Sequence, residues 1–98
     1  MSNWVSEDVK ELFRAIVSLE TEEECRMFFE DACTVREIIE IAQRLKVAKL
    51  LRDKVSYASI NKETGVSTAT ISRVSRCLEY GNGGYALVMD RLKEAEES

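Results

Sequence analysis

Thr68, Ala69, Ser72, Arg73 and Arg76 place hydroxyls, a methyl and two guanidiniums along one face of a short helical stretch. Hydroxyls and methyls suit base edges in a DNA major groove, while guanidiniums take phosphate oxygens or guanine. Other chemistries lack their groups. The sequence contains no histidine to act as a base. Glu22, Glu23 and Glu24 stand where helix capping explains them, and Ser67 and Ser72 have no general base at a recognisable spacing, so no enzyme is expected. Cys25, Cys33 and Cys77 are odd in number and lack Cys-x-x-Cys spacing, so no metal site is expected and each reads as a small helix-packing residue. Gly81-Asn82-Gly83-Gly84 resembles a phosphate-cradling loop, yet no Lys-Ser or Lys-Thr pair follows; it reads as a helix stop.

The elements that must hold the candidate side chains turn on Gly65. Ile60 lies before it, Val66 directly after, and Ile71 and Val74 beyond, which are the inward positions of two crossed helices. Gly65 permits a positive φ at the turn, and Ser67 can cap the second helix, a contribution of about 1 kcal/mol over alanine. The spacing predicts a helix-turn-helix over about 57–79. Asn61 departs from the usual pattern, because a small residue commonly stands there at the helix crossing; its amide is expected to reach solvent.

Three more capping signals lie upstream. Ser6 precedes the stripe Val9, Leu12, Phe13, Ile16 and Val17; Thr21 with Glu24 opens a helix to about Ala32 that buries Cys25, Phe28 and Phe29; and Thr34 with Glu37 opens the longest helix, to about Arg52. That long helix presents Val35, Ile38, Ile39, Ala42, Leu45 and Leu50 or Leu51. Ser56 caps the next, and a last helix over 85–96 carries Ala86, Leu87, Val88 and Leu92. With no proline and 98 residues, the chain reads as one all-α domain of six helices, 1–98.

A net charge of −4 argues against a polyanionic partner, but its distribution reverses that reading. Between Ala42 and Leu78 eight cations face two acids, a net +6, so the remainder carries −10. Lys54 and Lys62 belong to this basic stretch and would add nonspecific attraction to phosphate. No run approaches the roughly 18 apolar residues of a membrane span and no charged leader precedes one, so a soluble, cytoplasmic protein without membrane partners is expected.

The segment LLRDKVSYASINKETGVSTATISRVSRCL resembles the core of the tryptophan repressor family, and the whole chain resembles its YerC/YecD branch. Leu50, Leu51, Arg52, Ser56, Gly65, Ala69, Thr70, Ile71 and Arg73 carry the match. The resemblance implies an intertwined homodimer whose two recognition helices enter successive major grooves of double-stranded DNA. It also implies that Thr68, Ala69 and Ser72 face bases, with Asn61 standing where the family uses a lysine against DNA; Ser67, Thr70, Arg73 and Arg76 complete the expected DNA-binding set. The family's corepressor pocket is altered: Arg73 is retained, but Val74 replaces a glycine, Cys77 a serine, and Gln43 an arginine that Arg44 would supply one residue on. Val74 fills volume the ligand needs, at about 1 to 3 kcal/mol for an overpacked site. The expected function is a sequence-specific DNA-binding transcriptional regulator that does not respond to tryptophan and needs no cofactor. The alternative is a protein-interaction module that keeps the helix-turn-helix as a scaffold and uses its acidic flanks on a basic partner.

Overall fold

The computed structural model describes residues 4–97. It contains α1 (Glu7–Val17), α2 (Glu22–Ala32), α3 (Val35–Arg52), α4 (Tyr57–Thr64), α5 (Thr68–Tyr80) and α6 (Gly84–Glu97), with no strand among the described residues. The all-α, six-helix architecture expected from the sequence is the one found.

Side-chain caps fix most of the helix starts. Ser6, Thr21, Ser56 and Ser67 accept hydrogen bonds from the amides of Val9, Glu24, Ser59 and Thr70, at 3.0 to 3.2 Å. Thr34 and Glu37 close a reciprocal capping box: Thr34 Oγ1 accepts from the Glu37 amide at 3.1 Å, and Glu37 Oε1 accepts from the Thr34 amide at 2.8 Å. At Thr21 the return bond slips by one residue, since Glu24 Oε1 takes the amide of Glu20 instead. Each cap satisfies a donor that the helix itself leaves without a partner.

The chain divides into two compact units, one ending at Ile38 and the other beginning at Ile39. The first holds α1, α2 and the opening turn of α3. Trp4 meets Phe13 edge to face at 6.4 Å and Phe28 meets Phe29 at 5.5 Å, but neither α1 nor α2 contains a fully buried residue. On the α1 stripe Leu12, Phe13 and Val17 are exposed, Val17 to 82%. Cys25, expected inside, is exposed, and Phe28 and Phe29 are half-buried. Helical periodicity defines which residues share a face; burial needs a second element over that face.

The second unit owns the core: Val47, Ala48, Ile60, Val66, Ile71, Val74 and Met89. Here α4 packs on α5 and α5 on α6. Two faces differ from expectation. On α3 the fully buried residues are Val47 and Ala48, whereas Val35, Ile39 and Ala42 are exposed and Leu45, Leu50 and Leu51 sit at the core edge. On α6 the buried residue is Met89, with Tyr85 beside the core, while Ala86, Leu87, Val88 and Leu92 face outward. Tyr85 and Met89 are one helical turn apart and so share the inward face, which the neighbouring apolar cluster obscures in the sequence.

The α3 terminus aims the chain into the helix-turn-helix. Lys54 adopts φ 66°, its amide bonds the Leu51 carbonyl and the Val55 amide bonds the Leu50 carbonyl, both at 3.0 Å. This is a Schellman turn, in which glycine is the usual left-handed residue. Arg52 pairs with Asp90 of α6, and Lys46 lies 3.9 Å from Glu63 of α4.

Candidate nucleic-acid interface

Gly65 ends α4 at φ 75°, the left-handed turn its position predicts, and its amide bonds the Asn61 carbonyl at 2.8 Å. Ile60, Ile71 and Val74 are at most 1% exposed and Val66 is buried at the corner, so all four apolar positions read from the sequence point inward. Burial of side chains this size contributes roughly 1.5 to 3 kcal/mol each relative to exposure. That packing fixes which way the opposite face of α5 points.

The outward face carries Thr68, Ala69, Ser72, Arg73 and Arg76, all exposed. Ser67 and Thr70 are turned to local work. Ser67 Oγ caps the Thr70 amide at 3.2 Å and donates to Thr70 Oγ1 at 3.1 Å, leaving the hydroxyls paired at the helix start. Lys62 is exposed on α4 and Lys54 is exposed in the Schellman turn. Lys54, Lys62, Arg73 and Arg76 make no ion pair among the described residues, in contrast to Lys46 and Arg52: no described carboxylate lies within ion-pair distance of these four cations.

Asn61 is exposed as a residue, yet its amide is engaged: Nδ2 donates to the Val66 carbonyl at 2.8 Å. Thr64 works on the same residue from the other side. Its Oγ1 donates to the Ile60 carbonyl at 2.7 Å and accepts from the Val66 amide at 3.1 Å. Sequence reading missed this brace; the hint available was an asparagine and a threonine flanking a glycine turn, both residue types that bond nearby backbone.

The positions that the resemblance assigns to a corepressor pocket separate into three places. Gln43, Arg44 and Arg73 line one polar cleft of about 430 Å³ with Glu40, Ser67 and Thr70. Val74 is instead 1% exposed within the core, and Cys77 lines an apolar groove with Ile41, Leu45, Tyr85 and Val88. No His, Cys, Asp and Glu cluster suited to a metal ion occurs among the described residues, and no described helix is long and apolar enough to cross a membrane.

A Trp repressor protein family model matches residues 7–93. The chain belongs to the Trp repressor family. Within it, the chain is 54% identical over 89 residues to the uncharacterized protein YerC of Bacillus subtilis (strain 168), covering 91% of this chain and 86% of that protein. Among solved structures it resembles a TrpR-like protein from Eubacterium eligens ATCC 27750, with a TM-score of 0.89, 49% identity, and coverage of 94% of this chain and 96% of the other. A Staphylococcus aureus protein described as a candidate Trp repressor gives a TM-score of 0.86 at 47% identity, with the same coverage. Family membership spans both compact units, and it makes this the fold of a DNA-binding kind of regulator.

Proposed function

We propose that this protein is a sequence-specific DNA-binding transcriptional regulator that works in the cytoplasm as a homodimer, with the whole chain acting as one domain. The observation that carries this reading is the α5 face, where base-compatible Thr68, Ala69 and Ser72 lie beside unpaired Arg73 and Arg76 on a helix capped and packed from behind. Thr68, Ala69 and Ser72 read bases, Arg73 and Arg76 bind phosphate or guanine, and Lys54 and Lys62 hold the flanking backbone. Ser67 and Thr70 present the amide end of α5 to a phosphate while keeping the helix start closed.

Two copies would place their recognition helices about 34 to 36 Å apart, one turn of duplex DNA. Apolar residues left exposed in the single chain, Leu12, Phe13 and Val17 on α1 and Leu87, Val88 and Leu92 on α6, supply surface for that association. L-tryptophan is not the effector, because Val74 packs into the core at a position where the family pocket has no side chain.

Selection of bound fragments from random duplex DNA, followed by titration across salt, tests the proposal. Enrichment of a two-fold symmetric site is expected, with affinity falling as salt rises at a log-log slope of about −0.9 per neutralised phosphate. Absence of enrichment together with salt-insensitive binding would count against it. In calorimetry, L-tryptophan should give no saturable heat at micromolar concentration.

A further inference from the structure

Val66 is the hinge residue between α4 and α5, and both of its backbone polar groups are held by side chains of α4. Thr64 Oγ1 takes its amide at 3.1 Å and Asn61 Nδ2 gives to its carbonyl at 2.8 Å, while the Val66 side chain is buried in the core below. Thr64 is itself fixed by its bond to the Ile60 carbonyl. The residue after Val66 is Ser67, whose hydroxyl starts α5. We infer that Asn61 and Thr64 form a latch that sets the angle at which α5 leaves the turn, so Asn61 is a positioning residue for DNA reading and not a DNA contact.

The physical case rests on what is left free without the latch. Gly65 has no side chain and a left-handed backbone, so the turn has no steric stiffness of its own there. An amide and a carbonyl on a residue this close to the core need partners, and water is the competing one. When α4 side chains supply them, each of the two peptide units that meet at Val66 is held by its own bond, the one before it through the Val66 amide and the one after it through the Val66 carbonyl. Thr68 and Ala69 follow within three residues, and a small swing at the turn displaces them relative to base edges.

This inference deepens the proposed DNA-reading function and rests on it, so one readout is kept independent of DNA. In the free protein, nuclear magnetic resonance should find the Val66 amide protected from exchange and the Asn61 side-chain amide protons slowed relative to exposed asparagines such as Asn82. Asn61→Leu keeps the size and removes the donor; Thr64→Val keeps the shape and removes the hydroxyl. Each should lower affinity for the selected site by about fivefold, the scale of one hydrogen bond, while leaving affinity for random duplex unchanged. The double variant should lose less than the product of the two, since both bonds restrain the same residue of the turn. A purely structural role would lower the melting temperature without altering the ratio of specific to nonspecific affinity, and that result overturns the latch. A direct DNA contact would make Asn61→Leu weaken binding while Thr64→Val leaves it intact, which also overturns it. If the wild-type chain binds no DNA, the proposed function fails while protection of the Val66 amide, lost in Thr64→Val, and slowed exchange of the Asn61 side-chain amide still decide whether the latch exists; an unprotected Val66 amide ends the inference.

Discussion

Alanine at Gly65 and at Gly81 should separate two reasons for glycine. A methyl at Gly65 meets nothing within 4 Å, so Gly65→Ala carries only the left-handed backbone term, about 1 kcal/mol. At Gly81 the φ is ordinary, but the methyl would collide with the Cys77 backbone carbonyl that ends α5. Gly81→Ala should therefore destabilise more than Gly65→Ala in urea titrations, and fray the end of α5. Core residues follow a different rule: Ile60→Ala and Ile71→Ala, both fully buried, should each lose about 2 to 5 kcal/mol through transfer and cavity terms. Which residues matter around the turn was legible in the sequence, because Ile60, Gly65, Val66, Ile71 and Val74 obey one local geometry. Asn61 was legible only as an oddity. Its bond to Val66 depends on the folded-back turn, and no spacing rule reports it.

Helix ends were the most readable elements. A hydroxyl and an amide three residues apart meet whenever a helix starts, so Ser6, Thr21, Thr34, Ser56 and Ser67 announced their helices locally. The C-terminus of α3 was less readable, since a lysine occupies its left-handed position. Lys54→Gly should relieve that strain and stabilise the chain by up to about 1 kcal/mol, while weakening DNA binding and reducing the salt slope by about 0.9. Stability and binding would move in opposite directions, which melting curves and titrations of one variant can show. The capping box of α3 carries a pH dependence. Hydrogen bonds from the Thr34 backbone amide and side chain hold the Glu37 carboxyl below its ordinary value. A depressed carboxylate contributes stability above its unfolded value and loses it as pH falls through the folded one. Glu37→Gln should flatten that acid-side loss in thermal melts by lowering stability near neutrality, with the two proteins converging at acid pH. Helix faces were harder to read than helix ends: α6 offers adjacent apolar residues, and only packing on α5 chose Tyr85 and Met89 over Leu87 and Val88.

For the whole molecule, the chain carries its charge unevenly: residues 4–38 hold ten acids and four cations, and residues 39–97 hold eight and ten. The basic surplus thus accompanies the helix-turn-helix. Light scattering at micromolar concentration should give twice the 11.2 kDa chain mass, and Val17→Glu, at the most exposed position of the α1 stripe, should lower it toward the single-chain value. An unchanged particle would remove α1 from the association surface. By itself the sequence determined six helices, their caps, the turn at Gly65 and the basic centre, because hydrogen bonding within a turn and charge per segment are local properties. Tertiary structure alone decided that Met89 and Ala48 enter the core, that Arg73 and Arg44 share a cleft while Cys77 lies elsewhere, and that Asn61 reaches Val66. Each of those depends on which helix covers which face, and that is settled by the mutual fit of surfaces that periodicity leaves equivalent.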